Sequence, residues 1–152
     1  MSDKIVVSAC LAGKKCRYDG SSRPNQRVMQ LIKDKKALAA CPECMAGLKI
    51  PRVPAEIVGG DGHDVLKGTA RVYNRDNKDV TQEFVRGAHK FLKFVQVCGA
   101  SAVYVKSKSP SCAKNHIYDG TFHGILKDGC GVACALLVQN GIMVKEISDE
   151  EE

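Results

Sequence analysis

The chain has no tryptophan and only four tyrosines and four phenylalanines. So little aromatic surface argues against a dedicated single-strand nucleic-acid binder, which stacks successive bases on aromatic rings. No apolar run approaches the roughly 20 residues that span a bilayer. The opening residues, with Asp3 and Lys4 ahead of a short apolar run, do not have the form of a secretion signal. These absences predict a cytoplasmic protein with no membrane partner. Also missing are the double CxxC spacing of a structural zinc site and the tight cysteine runs of ferredoxins. Only Cys41-Pro42-Glu43-Cys44 has the CxxC form.

What is present is an ordinary globular composition, 152 residues with 44% apolar side chains, enough for one domain. We read that domain over residues 1–148, followed by an acidic tail, Asp149 to Glu152. Two numbers depart from the ordinary: eight cysteines and a net charge of +6. Residues 1–36 carry nine Lys/Arg against three Asp/Glu, whereas the rest carries fourteen of each. A basic first quarter attracts phosphates, nucleotides or RNA. The plainer reading makes Lys14, Lys15, Lys33, Lys35 and Lys36 solvated surface lysines.

Short apolar runs at Lys4–Ala9, Ala37–Ala40 and Ser101–Val105 predict buried strands, and Ile142–Ile147 a last one. Thr69–Tyr73 alternates and reads as a strand. Asn25 caps a helix carrying Val28, Leu31 and Ile32. Thr81 opens the clearest helix, with Phe84, Ala88, Phe91, Leu92 and Val95 on one stripe and Gly99 at its end. Gly131–Gln139 is a short apolar helix. Residues 45–64, rich in Gly and Pro, read as loop. Strands alternating with helices predict an α/β sandwich around a mostly parallel, Rossmann-like sheet.

The cysteines then acquire positions. Cys10 and Cys41 each follow a predicted strand, and Cys112 follows another after Lys106-Ser107-Lys108-Ser109-Pro110-Ser111. Ligands in an open parallel sheet bind at the carboxyl ends of the strands, so these thiols should converge. In a reducing compartment they serve as buried fillers, metal ligands or catalytic groups. Three converging thiolates suit a metal or cluster better than a disulfide, and three on a four-iron cluster leave one iron open as a Lewis acid. Cys16, in the basic loop, is a reserve ligand. Cys44 completes a CxxC compatible with a zinc or thiol redox protein built on Cys41 and Cys44. Cys98, Cys130 and Cys134 read as core fillers. Glu43, two residues past Cys41, can act as a general base. Ser109 and Ser111 offer hydroxyls to a substrate or simply build a turn. Gly59-Gly60-Asp61-Gly62 is a weak phosphate-cradle signal, and His63, His116 and His123 read as surface or packing residues.

Residues 8–20 (SACLAGKKCRYDG), 41–43 (CPE), 51–72 (PRVPAEIVGGDGHDVLKGTARV), 106–112 (KSKSPSC) and 117–124 (IYDGTFHG) together resemble domain-of-unknown-function family 523, which includes thiouracil desulfidases. The likeness covers nearly the whole chain; Cys44, Met45 and Ala113 depart from the pattern. The resemblance implies a [4Fe-4S] cluster with one iron not ligated by protein, and by motif its ligands would be Cys10, Cys41 and Cys112. It implies that Glu43 activates water or shuttles protons, assisted by a serine of SPSC, best matched by Ser109. The implied reaction is hydrolytic removal of sulfur from a thiolated uracil, of 2-thiouracil or 4-thiouracil/thiouridine type, as base or nucleotide, giving uracil and hydrogen sulfide. An RNA-binding module using the basic first quarter is a further, less favoured alternative.

Overall fold

The computed structural model describes residues 4–13, 18–20 and 24–147. Cys16, the basic residues Lys14, Lys15, Arg17 and Arg23, and the acidic tail lie outside the described residues.

Four strands form a wholly parallel sheet: β1 (Ile5–Ser8), β2 (Ala37–Ala40), β5 (Ala102–Lys106) and β8 (Met143–Ile147), in the order β2-β1-β5-β8. Alternate side chains point to opposite faces, as the two-residue strand period requires. Val6 and Val103 enter one core cluster, while Val7 enters a second. The larger cluster lies under α4 (Thr81–Cys98) and α5 (Val132–Gln139). The smaller lies under α1 (Gln26–Lys33), which contributes Val28. The predicted α/β sandwich with a parallel sheet is therefore what forms. Phe91 of α4 is fully buried in the larger cluster, where truncation to Ala costs about 3–5 kcal/mol. Ala37–Ala40 is less buried than its composition suggests, because β2 is an edge strand and Leu38 faces outward at 40% exposure.

Local chemistry agrees with several expectations. The Asn25 side chain accepts from Val28 N–H at 3.1 Å and starts α1. Gly99 takes a left-handed φ of 65° and stops α4. The entry to α4 differs from its reading. Thr81 is the first helical residue rather than the cap; its N–H donates to Asp79 Oδ1, and its hydroxyl accepts from Val72 N–H in the neighbouring strand.

The larger departure is in residues 45–64, read as loop. They contain β3 (Ala55–Val58) and the start of α3 (Gly62–Lys67). β3 pairs antiparallel with β4 (Arg71–Asn74), and a second ribbon joins β6 (His116–Tyr118) to β7 (Leu126–Asp128). Gly59-Gly60-Asp61-Gly62 is a helix start, not a cradle: the Asp61 side chain accepts from His63 and Asp64 N–H, and Asp64 returns a bond to Asp61 N–H. Both ribbons sit beyond the carboxyl edge of the parallel sheet, where they wall a cavity.

Candidate active site

β1, β2 and β5 run parallel, so their carboxyl ends open on one edge. The chain leaves β1 toward β2 on one side, and β5 lies on the other. This reversal of strand order makes the crevice in which open α/β sheets bind ligands. A cavity of about 610 Å³ occupies it and is lined by Cys10, Cys41 and Cys112, together with Glu43, Ser109 and Ser111. The three strand-end thiols are thus brought to one place.

Each thiol arrives by a different device. Cys10 sits in a single 3-10 turn, Ala9–Ala12, continuing β1, and is buried. Cys41 precedes the one-turn helix α2 (Pro42–Met45), whose second residue is Glu43. Cys112 lies in the loop after β5. Ser109 Oγ accepts from the N–H groups of Ser111 and Cys112 at 3.2 and 3.1 Å, so it closes this turn. The carbonyls of Pro110 and Ser111 accept from Val132 and Cys134 N–H, satisfying the first turn of α5. Gly131 makes that approach feasible: a Cβ there would lie 2.4 Å from the Ser111 carbonyl carbon.

Burial, followed by the nearby Cys41, pushes the Cys112 thiol up to about 12. Hydrogen bonds from Ser111 and Ser8 pull the other way, and the Ser111 hydroxyl lies 3.5 Å from Sγ. Both serines are buried and favour the thiolate, the form a metal takes. Cys44 is also pushed up, to about 11, by burial and by Cys41 beside it. A raised thiol is a poor nucleophile, so Cys44 is not the attacking sulfur of a redox pair. Cys130 and Cys134 are buried core residues, as expected; the hydrogen bond between them lowers the first thiol and raises the second.

Glu43 does not stand alone. Its carboxylate is paired with the Arg52 guanidinium, and both side chains are nearly buried, at 14% and 11% exposure. Burial alone would lower the Arg52 pKa, but the charge and hydrogen bond of Glu43 outweigh it and raise it. Arg52 carried no assigned role in the sequence; its one signal is a charged residue fixed between Pro51 and Pro54. Ser8 was missed as well, its position at the end of β1 being the clue. Lys33 at the end of α1, and Lys35 and Lys36 on the turn that enters β2, are exposed at the opposite edge of the sheet from the cavity. The described cations that line the cavity are instead Arg52, Arg75, Lys78, Lys106 and Lys108, from the part of the chain with no net charge.

Among the described residues no three His, Cys, Asp or Glu side chains gather closely enough to chelate a single ion. An iron–sulfur cluster is held by cysteine thiolates on separate irons, so its ligands stand wider apart. Three thiols on three strand ends around one cavity fit such a group in donor chemistry and in placement.

A model of the 2-thiouracil desulfurase family matches residues 5–150. The chain belongs to the 2-thiouracil desulfurase family. The YbbK protein of Bacillus subtilis (strain 168) is 47% identical over 147 residues, covering 97% of this chain and 96% of YbbK. A solved structure described as the [4Fe-4S]-dependent thiouracil desulfidase TudS (DUF523Vcz) is 39% identical, covers 94% of this chain and 89% of its own, and superposes with a TM-score of 0.82. The fold of this desulfurase-family chain is therefore that of TudS.

Proposed function

We propose that the chain is an iron–sulfur-dependent desulfidase that hydrolyses a thiolated uracil to uracil and hydrogen sulfide. The observation that carries this reading is the meeting of Cys10, Cys41 and Cys112 with the Glu43–Arg52 pair in one cavity at the sheet's carboxyl edge. Family membership and the likeness to TudS support it.

Cys10, Cys41 and Cys112 would hold a [4Fe-4S] cluster, leaving one iron without a protein ligand. When bound, the cluster supplies a Lewis acid that accepts the leaving sulfur. A thiol held at about 12 is neutral at pH 7, so Cys112 releases a proton on becoming a ligand. Ser111 and Ser8 stabilise the thiolate that results. Arg52 fixes the Glu43 carboxylate, which takes the proton of a water as that water attacks the thiocarbonyl carbon. Ser109 shapes the Cys112 loop, and its hydroxyl and that of Ser111 lie on the cavity wall. Water supplies the oxygen of the new carbonyl, the C–S bond breaks, and sulfur leaves as hydrosulfide; no electron is gained or lost. The substrate is a thiolated pyrimidine base or its nucleotide, with Arg75, Lys78 and Lys108 on the cavity lining to meet a phosphate. No described helix is long and apolar enough to cross a membrane, and we place the enzyme in the cytoplasm, where thiols stay reduced.

Incubating anaerobically reconstituted protein with 2-thiouracil and with 4-thiouracil tests the reading. Loss of the thiobase absorbance, with uracil and sulfide appearing in equal amounts, is the expected result. Protein that carries iron and sulfide but releases no sulfide from either base would contradict it.

A further inference from the structure

The chemistry above makes no use of the turn at Asp119 to Phe122, although the fold secures that turn three times over. Glu56, on β3, is a buried acid at 9% exposure. Its Oε1 accepts from the N–H groups of Gly120 and Phe122, at 2.9 and 3.1 Å. From the other side Asp119 Oδ1 accepts from Thr121 N–H at 3.0 Å and from its hydroxyl at 2.6 Å. Gly120 has φ of 95°, and a Cβ there would lie 2.7 Å from the Ile57 carbonyl oxygen, so only glycine lets the turn lie against β3.

The last residue of the turn is the unusual one. Phe122 has φ of 60°, a left-handed backbone that bulky residues rarely adopt. Such conformations persist where the surroundings impose them, and they gather at ligand clamps. Thr121, His123 and Gly124 around it are exposed, but Phe122 is half-buried and lines the cavity that also holds Cys41, Glu43 and Cys112. A buried carboxylate and a strained backbone are thus committed to one aromatic ring on the lining of the cavity.

Resting on the desulfidase reading above, we propose that Phe122 is a specificity-determining residue whose ring stacks on the face of the thiolated pyrimidine, and that Glu56 is the positioning residue that sets the ring. A planar unsaturated ring presents a π-face to the phenyl group; a saturated, puckered one does not. The site then selects for aromaticity in the ring that carries the thiocarbonyl, separately from the sulfur chemistry at the cavity floor.

The test uses anaerobic, iron-replete wild type, Phe122→Leu, Phe122→Tyr and Glu56→Ala. Each is assayed with 2-thiouracil and with its saturated 5,6-dihydro counterpart, and uracil binding is measured by equilibrium dialysis. Removing a stacking ring should weaken uracil binding about tenfold in Phe122→Leu, with the loss in KM rather than kcat. The preference for the unsaturated ring should collapse in the same variant and return in Phe122→Tyr. Glu56→Ala keeps the ring but frees the turn, and should lose part of the preference. Melting temperature and visible absorbance show whether a variant is folded and loaded; should Phe122→Leu fail there, Glu56→Ala decides by the same preference. A folded Phe122→Leu protein that binds uracil as wild type does, or that loses both rings equally, overturns the proposal. Wild type that neither desulfurates 2-thiouracil nor binds uracil overturns the desulfidase reading beneath it.

Discussion

The parallel sheet and the two antiparallel ribbons divide the site between them. The sheet supplies the floor: Cys10, Cys41 and Cys112 all follow strands whose backbones are locked on both sides or against a neighbour. The ribbons and the loops entering them supply the walls, including Arg52, Glu56, Tyr118 and Phe122. A floor of thiols is indifferent to the shape of what lands on it, whereas walls held by individual side chains choose. On the reading proposed above, the thiols that would hold the cluster and the side chains that would meet the substrate ring sit on different elements, joined at the Glu43–Arg52 pair.

The largest expected effect is on the floor. Cys112→Ser should abolish turnover, since a cluster held by two protein thiolates is poorly retained. Cys98→Ala, at the far end of α4, should keep near wild-type activity. Next is Glu43→Gln, which keeps shape but removes the base; turnover should fall by about 10²–10⁴ with iron retained. Steady-state rates per protein chain, measured beside iron content, check both.

A smaller effect is expected at the seam between floor and helix. Gly131→Ala drives a methyl group into the Ser111 backbone, and overpacking of this kind costs about 1–3 kcal/mol. Thermal unfolding should show it as a drop of several degrees. The smallest effect is beside a wall, at a residue outside the cavity lining. Asp79 is held at about 2, below its ordinary 3.8, by hydrogen bonds from Thr81 and then by Arg71. A depressed carboxylate stabilises the fold above its ordinary value and loses that contribution as pH falls through about 2. The destabilisation of Asp79→Asn should therefore be present at neutral pH and fade between pH 4 and 2, seen in denaturant midpoints across that range.

The same division decides what was legible in the sequence. β1, β2, β5 and β8 are short apolar runs bounded by turn residues, and the thiols follow from their order and the parallel topology. β3 was hidden because Glu56 interrupts its apolar pattern and Pro and Gly crowd its flanks. The acid looked like a loop residue, yet it is buried to hold a distant turn 64 residues on. β6 and β7 are three residues each and exist only as a pair. Arg52 and Ser8 acquire their roles from partners that no local pattern names. Ser109 carries two readings at once: motif matching favours a catalytic hydroxyl, and the same hydroxyl lines the cavity while its oxygen accepts two N–H groups of the turn.

The most direct test of the account is the iron and acid-labile sulfide content of protein purified without oxygen. About four of each per chain, with a brown visible absorbance, are expected for wild type and for Cys98→Ala, and sharply less for Cys10→Ser, Cys41→Ser and Cys112→Ser. Iron retained in Cys112→Ser but stripped by Cys16→Ser, or a colourless zinc-loaded wild type, would contradict the assignment of three strand-end thiols as the floor of the site.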